Sequence, residues 1–105
     1  MNIEYIRFRI DKEHQSYFVH AIGEACNIMA ASSVCLNYEV AQCEEDTTLF
    51  VWRIEWASTD AHVNGFRKEK IFVPFYQLMQ PFLNSILEMN QSCWSYYKIF
   101  TFFEY

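Results

Sequence analysis

Glycine and proline are scarce in this chain, two of each among 105 residues. That excludes collagen-like and low-complexity architectures and predicts long regular elements joined by few loops. Lysine and arginine form no run, and 8 of them face 13 acidic residues for a net charge of −5. Nucleic acid and anionic membrane surfaces therefore lack the basic footprint they need, and neither is expected as a partner. No apolar stretch approaches the roughly 18 residues that span a bilayer. The start, "MNIEYIRFRID", alternates and carries early charges, unlike the basic start and apolar middle of a signal peptide. A soluble, cytoplasmic protein is expected. Phosphate loops and dinucleotide fingerprints are missing, which argues against kinases and Rossmann-type redox enzymes. Cys26, Cys35, Cys43 and Cys93 are spaced 9, 8 and 50 residues apart. That is not metal-ligand spacing, and in a cytosolic chain it reads as free thiols.

Aromatic side chains are abundant: ten Phe, seven Tyr and three Trp, 19% of the residues. Rings at this density fill a core and a subunit interface, or line a pocket for a flat organic ligand. The length fits one domain over residues 1–105, with a thin core that dimerisation would thicken.

"NIEYIRFRI" places Ile6, Phe8 and Ile10 on one face and Tyr5, Arg7 and Arg9 on the other, a strand pattern. Asp11 is placed to cap a helix over about residues 12–31, in which Phe18, Ile22, Ala25 and Met29 recur at helical steps. His14 and His20 fall on its solvent side. "SVCLNYEVAQC" and "LFVWRIEWA" alternate again around the turn-like "EEDTT", giving a hairpin. Ser58 starts a further helix and Gly65 is placed to end its first piece. The spacing of Phe72, Phe75, Met79, Phe82 and Ile86 predicts a long helix to about residue 89, kinked at Pro81. The aromatic tail, within residues 91–105, reads as a last strand or as a partner-docking segment.

The order β-α-β-β-α-β predicts an α+β, ferredoxin-like fold with two helices on one face of an antiparallel sheet. The apolar set Ile6, Phe8, Leu36, Tyr38, Phe50, Trp52, Ile54 and Trp56 should face those helices. Tyr5, Arg7, Arg9, Asn37, Glu39, Val51, Arg53 and Glu55 should line the open face. Charges of both signs with interspersed apolar residues suit that face to a second copy of the chain.

Several stretches carry a family likeness: "LNYEV", then "WASTDAH…F", with a Trp, a Ser two residues on, an acidic residue, Ala and a helix closing on Phe, then "FVPFYQLMQPFL". In this order the chain, over about residues 2–90, resembles the antibiotic biosynthesis monooxygenase (ABM) domain family. "HVNGFRKEKIF" resembles a branch with "GFR" after the helix start, some members of which sit beside a truncated haemoglobin domain. The resemblance implies a homodimeric α/β barrel with a pocket between sheet and helices. It also implies chemistry among cofactor-independent oxygenases of anthrones, quinol oxygenases and haem-degrading enzymes. The haem-degrading branch uses an Asn in the first strand with a Trp and a His on the second helix. That set is absent here, since "YIRFR" and the positions near Gly65 and Phe75 offer none of them.

The expected function is that of an oxidoreductase: a cofactor-independent monooxygenase, needing no cofactor and no metal, acting on a small aromatic hydroxylated or quinol-type ligand. Such chemistry needs an apolar slot, a base to ionise the substrate and donors for the developing oxyanion. His62 is the candidate base, because imidazole titrates near neutrality. Tyr38 and Arg67 are the candidate orienting or oxyanion-stabilising groups. Phe8, Trp52, Trp56, Phe66, Phe72 and Phe75 are the candidate ring slot. The competing expectation is a non-catalytic dimeric module that binds a hydrophobic ligand such as haem, or a haemoglobin-like partner. A filled core and a solvent-facing His62 would favour that module, whereas a roomy pocket on which His62, Tyr38 and Arg67 converge would favour the enzyme.

Overall fold

In the computed structural model, which describes residues 2–93, four strands and two α-helices alternate along the chain. Their order is β1 (Asn2–Arg9), α1 (Gln15–Met29), β2 (Cys35–Gln42), β3 (Leu49–Trp56), α2 (Phe72–Met79) and β4 (Ile86–Cys93). The strands form one antiparallel sheet in the spatial order β2-β3-β1-β4. This is the expected ferredoxin-like α+β arrangement.

Alternation decides which face each side chain takes. On β1 and β3 the pairs Ile6–Trp52 and Phe8–Phe50 share the helix-covered face, with Glu4–Ile54 and Asn2–Trp56 further along it. Tyr5–Arg53 and Arg7–Val51 lie on the other face. There Arg53 Nη2 pairs with Glu55 Oε1 at 2.7 Å. Glu55 and then Tyr5 favour the charged guanidinium of Arg53.

A single 3-10 turn (Lys12–His14) leads into α1. Asp11 caps it through its carbonyl, which accepts from the His14 amide at 2.9 Å, and its side chain makes no cap bond. The buried stripe of α1 includes Phe18, Ile22, Ala25 and Met29. Phe18 has no exposed surface. Its ring lies 5.0 Å from Phe8, 4.9 Å from Phe50 and 5.1 Å from Phe82, so one side chain joins both central strands to the segment after α2.

In the hairpin loop, Asp46 Oδ1 accepts from the Thr48 hydroxyl and from its amide, and Arg9 reaches Oδ2 at 3.3 Å. The Thr48 bonds, and then Arg9, hold the Asp46 carboxyl below its usual range.

Three expectations for the stretch from Phe72 onward need correction. The helix predicted to run from Phe72 to about residue 89 ends at Met79; a 3-10 segment (Gln80–Ser85) follows, and then β4. Pro81 lacks an amide donor and sits in the first turn of the tighter helix, so it marks a change of helix type rather than a kink. Ile86, read as the last helical apolar position, is the first residue of β4 and pairs with Phe8.

The last described strand is β4, and the expectation that the aromatic tail forms a strand or a docking segment falls on residues 94–105, outside the described residues. "ILEMNQSC" has few strand formers. Pairing with β1 overrides its weak propensity.

On β2, Tyr38 and Val40 take the predicted face, opposite Ile54 and Trp52, but this is an edge strand with little helix above it. Tyr38 is half-buried and Val40 is exposed. Leu36 falls in the register shift between Cys35 and Asn37 and is 58% exposed, so it is not core.

Two tests of the core follow from these contacts. Phe18→Ala removes the ring on which both helix-facing strands close, and should cost about 3–5 kcal/mol in urea unfolding. Burial pushes the Cys26 thiol up from 9.0 to about 11, against a smaller opposing effect of the Trp52 indole. The folded state therefore favours the thiol, and that stability is complete below pH 9 and lost as pH rises toward 11. The stability difference between the wild type and Cys26→Ala should change by an amount of order 2 kcal/mol across that window, to the wild type's disadvantage.

Candidate functional site

The site is built where β3 hands over to the second helical region. Trp56 ends the strand, buried, on the helix-covered face. Ser58 Oγ then accepts the Ala61 amide at 2.9 Å, a side-chain cap that starts the following turn. The turn winds as a π-helix over Ala61–Gly65 and tightens to a 3-10 turn over Phe66–Lys68. Wide turns of this kind reorient the side chains they carry. Gly65 keeps a negative φ of −95°, so it does not end the piece through a left-handed conformation as the sequence suggested. At the start of β1, Asn2 Nδ2 donates to Thr59 Oγ1 at 2.9 Å and ties the strand to this turn.

The result is a buried His62, 5% exposed, stacked on the Trp56 indole with ring centres 4.4 Å apart and planes 14° from parallel. At the edge of both rings, on their nitrogen side, lies Glu4, also 5% exposed. Its Oε1 accepts from Trp56 Nε1 at 3.2 Å and stands 3.7 Å from His62 Nε2. The second distance is an electrostatic pairing rather than a hydrogen bond. A carboxylate taken this far from water is costly unless donors or a cation compensate it, and here the indole and the imidazole do so.

Glu4 and His62 form the polar part of the wall of a cavity of about 370 Å³. Its remaining wall is largely aromatic. Phe8, Trp52, Trp56, Phe66, Phe72 and Phe75, the six residues expected to form the ring slot, all line it. Phe66 anchors the cluster, edge-on to Phe72 at 5.5 Å and to Phe75 at 5.0 Å. Arg67 also lines the cavity, from an exposed position, as do Tyr76, Leu83 and Met89. These exposed residues mark the mouth, bordered by the 3-10 turn that carries Arg67, by α2 and the segment after it, and by β4.

The structure thus brings together His62, Arg67 and the rings. Tyr38 is packed against the core from the edge strand and does not line this cavity. His14 and His20 are exposed, and His20 Nε2 pairs with Glu24 Oε1 at 3.1 Å. Among the described residues one cluster has metal-ligating geometry, Asp11, Glu13 and His14. It is exposed, before α1, and lines no part of the cavity.

Sequence reasoning missed Glu4. The signal was available: it shares parity with Ile6 and Phe8, so the rule that places those two beneath the helices places Glu4 there as well.

Residues 1–76 match the family model for antibiotic biosynthesis monooxygenase. The chain belongs to the antibiotic biosynthesis monooxygenase family. Solved structures share its fold at low identity. A conserved protein from Methanosarcina mazei superposes with a TM-score of 0.73 at 16% identity, covering 87% of this chain and 89% of that one. A structure described as an antibiotic biosynthesis monooxygenase gives 0.73 at 15% identity, covering 93% and 100%. A protein from Pseudomonas aeruginosa gives 0.64 at 14%, covering 87% and 88%. Comparison with curated proteins gives no match.

In this ABM domain the wide turn that presents His62 depends on one cap. Ser58→Ala should cost about 1 kcal/mol in thermal or urea unfolding, and Ser58→Asp should recover most of it, since carboxylate oxygen caps as well as hydroxyl.

Proposed function

We propose that the chain is a cofactor-independent monooxygenase of a flat, hydroxylated aromatic substrate of the anthrone or quinol type. The observation that carries the reading is the Glu4–His62 pair set into an otherwise apolar, ring-lined cavity. The chemistry asks for such a combination. Rings hold a planar substrate and exclude water, and the buried pair provides a place for its proton.

In this reading His62 accepts the substrate hydroxyl proton and Glu4 stabilises the imidazolium that forms. The resulting phenolate or enolate gives one electron to O₂. Substrate radical and superoxide then join at the activated ring carbon, forming a carbon–oxygen bond. The peroxide anion takes the proton back from His62, and loss of water from the resulting hydroperoxide leaves a carbonyl. For an anthrone, the methylene becomes a ketone, one oxygen atom enters the product and the other leaves as water. All four electrons that reduce O₂ come from the substrate carbon as it passes from methylene to carbonyl, so no external reductant enters the balance. Arg67 belongs to the mouth in this scheme, and Tyr38, off the cavity wall, has no part in it.

The working unit in this reading is a homodimer joined through the open sheet face. Arginines and glutamates interspersed with Tyr5 and Val51 give that face the mixed charge and apolar surface that self-association uses.

The test is oxygen uptake by the purified protein, without added metal or flavin, on a panel of hydroquinones and anthrones. Uptake above the uncatalysed rate is expected. His62→Ala should lower kcat by about 10²- to 10⁴-fold, the usual contribution of a positioned base. Glu4→Gln keeps an acceptor for the Trp56 indole but loses the charge, and should lower kcat less. Absence of uptake across the panel would transfer the cavity to the reading of a module that binds, without converting, a hydrophobic ligand.

A further inference from the structure

We propose that the ligand of this cavity carries a carboxylate at the end opposite its reactive hydroxyl, and that Arg67 at the mouth selects it. The inference rests on the cavity assigned above as the oxygenase site and extends it to a substrate class, aromatic hydroxy acids.

The polar groups of the cavity are separated by depth and by charge. Glu4 and His62 lie at the closed end, with side chains only 6% and 7% exposed. A ligand carboxylate placed there would meet the Glu4 carboxylate in an apolar surround, where like charges repel strongly. Arg67 lies at the open end and is exposed, so its guanidinium keeps its hydration until a ligand arrives. Repulsion below and attraction above act on the same ligand in the same sense. They fix which end enters first.

Arg67 is also available. Among the described residues no carboxylate oxygen lies within ion-pair distance of Arg67, Lys68 or Lys70. The acidic residue between the two lysines, Glu69, is turned to the end of α1, where its Oε1 accepts from Ser32 Oγ at 3.1 Å. Residues 67–70 thus hold three of the eight basic residues of a chain whose net charge is −5. A local positive field at the mouth of an acidic protein draws anions to that mouth. Arginine suits the role because its planar fork meets a carboxylate with two parallel donors.

The neighbouring rings set the rest of the specificity. Phe66 precedes Arg67 and is 1% exposed, so the backbone that carries the guanidinium is anchored in the core. The guanidinium therefore swings from a fixed point of the chain at the mouth, while the Glu4–His62 pair stays buried. A planar ligand with hydroxyl and carboxylate at opposite ends fits that separation of charges. One with both groups on adjacent carbons does not.

The experiment is isothermal titration calorimetry of the full chain with 6-hydroxy-2-naphthoate, 2-naphthol and 3-hydroxy-2-naphthoate. The wild type should bind 6-hydroxy-2-naphthoate about three- to ten-fold more tightly than 2-naphthol, the range expected of a partly solvated ion pair. The preference should shrink at high salt. Arg67→Gln should bring it close to unity by weakening 6-hydroxy-2-naphthoate more than 2-naphthol, and Arg67→Lys should retain part of it. The 3-hydroxy isomer should bind no better than 2-naphthol. Equal affinity of 6-hydroxy-2-naphthoate and 2-naphthol in the wild type, a preference that survives Arg67→Gln, or no binding of either would overturn the inference. Its failure is separable from that of the oxygenase reading. Selective binding without oxygen uptake keeps the carboxylate and removes the reaction; oxygen uptake on anthrones together with equal affinity for 6-hydroxy-2-naphthoate and 2-naphthol does the reverse.

Discussion

A carboxylate on the wrong face of a strand organises this molecule. Glu4 points toward the helices, between Asn2 and Ile6 on the face that also carries Phe8 and Phe50. Burying it without partners would cost several kcal/mol, more than a small domain spares. Its partners come from elsewhere in the chain: the indole N–H of Trp56, 52 residues away in sequence, and the imidazole of His62. Both must be in place for the strand to be tolerated. The cost of Glu4 is thus a constraint on the strand end and on the turn that follows it.

That constraint explains the irregular backbone between β3 and α2. A regular α-helix starting at Ser58 would repeat every 3.6 residues and aim its apolar stripe at the sheet. The π-turn over Ala61–Gly65 is wider, and the 3-10 turn after it is narrower. Together they let His62 stack flat on Trp56 while Phe66 still reaches the core, 5.1 Å from the same indole. The stacking also suits a protonated imidazole, because the face of an indole attracts cations. The junction and the site are therefore one object: the geometry that ends the strand also positions the base.

The sequence exposed the architecture more fully than the site. Period-two patterns in β1 and β3 and the helical period of α1 depend on burial, and burial is what alternation records. The second half of the chain was harder to read. Phe72, Phe75, Met79, Phe82 and Ile86 keep a helical step across three different backbone conformations, because the three elements that carry them face the same core. β4 owes its existence to β1 alongside it, a tertiary fact with no local signature in "ILEMNQSC". The ring slot was legible because aromatic residues at strand and helix spacing converge wherever the two layers meet. Glu4 was not, because a polar residue at an inward position looks like an interruption of the pattern rather than a part of it.

An inward carboxylate is a departure from the rule that local preference and global fold agree, and such departures concentrate at functional sites. The alternative account is that Glu4 is structural, a buried acceptor that fixes the Trp56 rotamer. Geometry separates the two. A purely structural acceptor needs the indole alone, and any neutral acceptor of the same size would serve it. Here the same oxygen also faces an imidazole, and both groups line a cavity wide enough for a ligand. Packing the core would have closed that space, since a void of this size forfeits contacts that Leu or Phe side chains would supply. An acid–base pair at the end of a space kept open among rings is a poor way to stabilise a domain and a good way to hold an ionisable aromatic molecule.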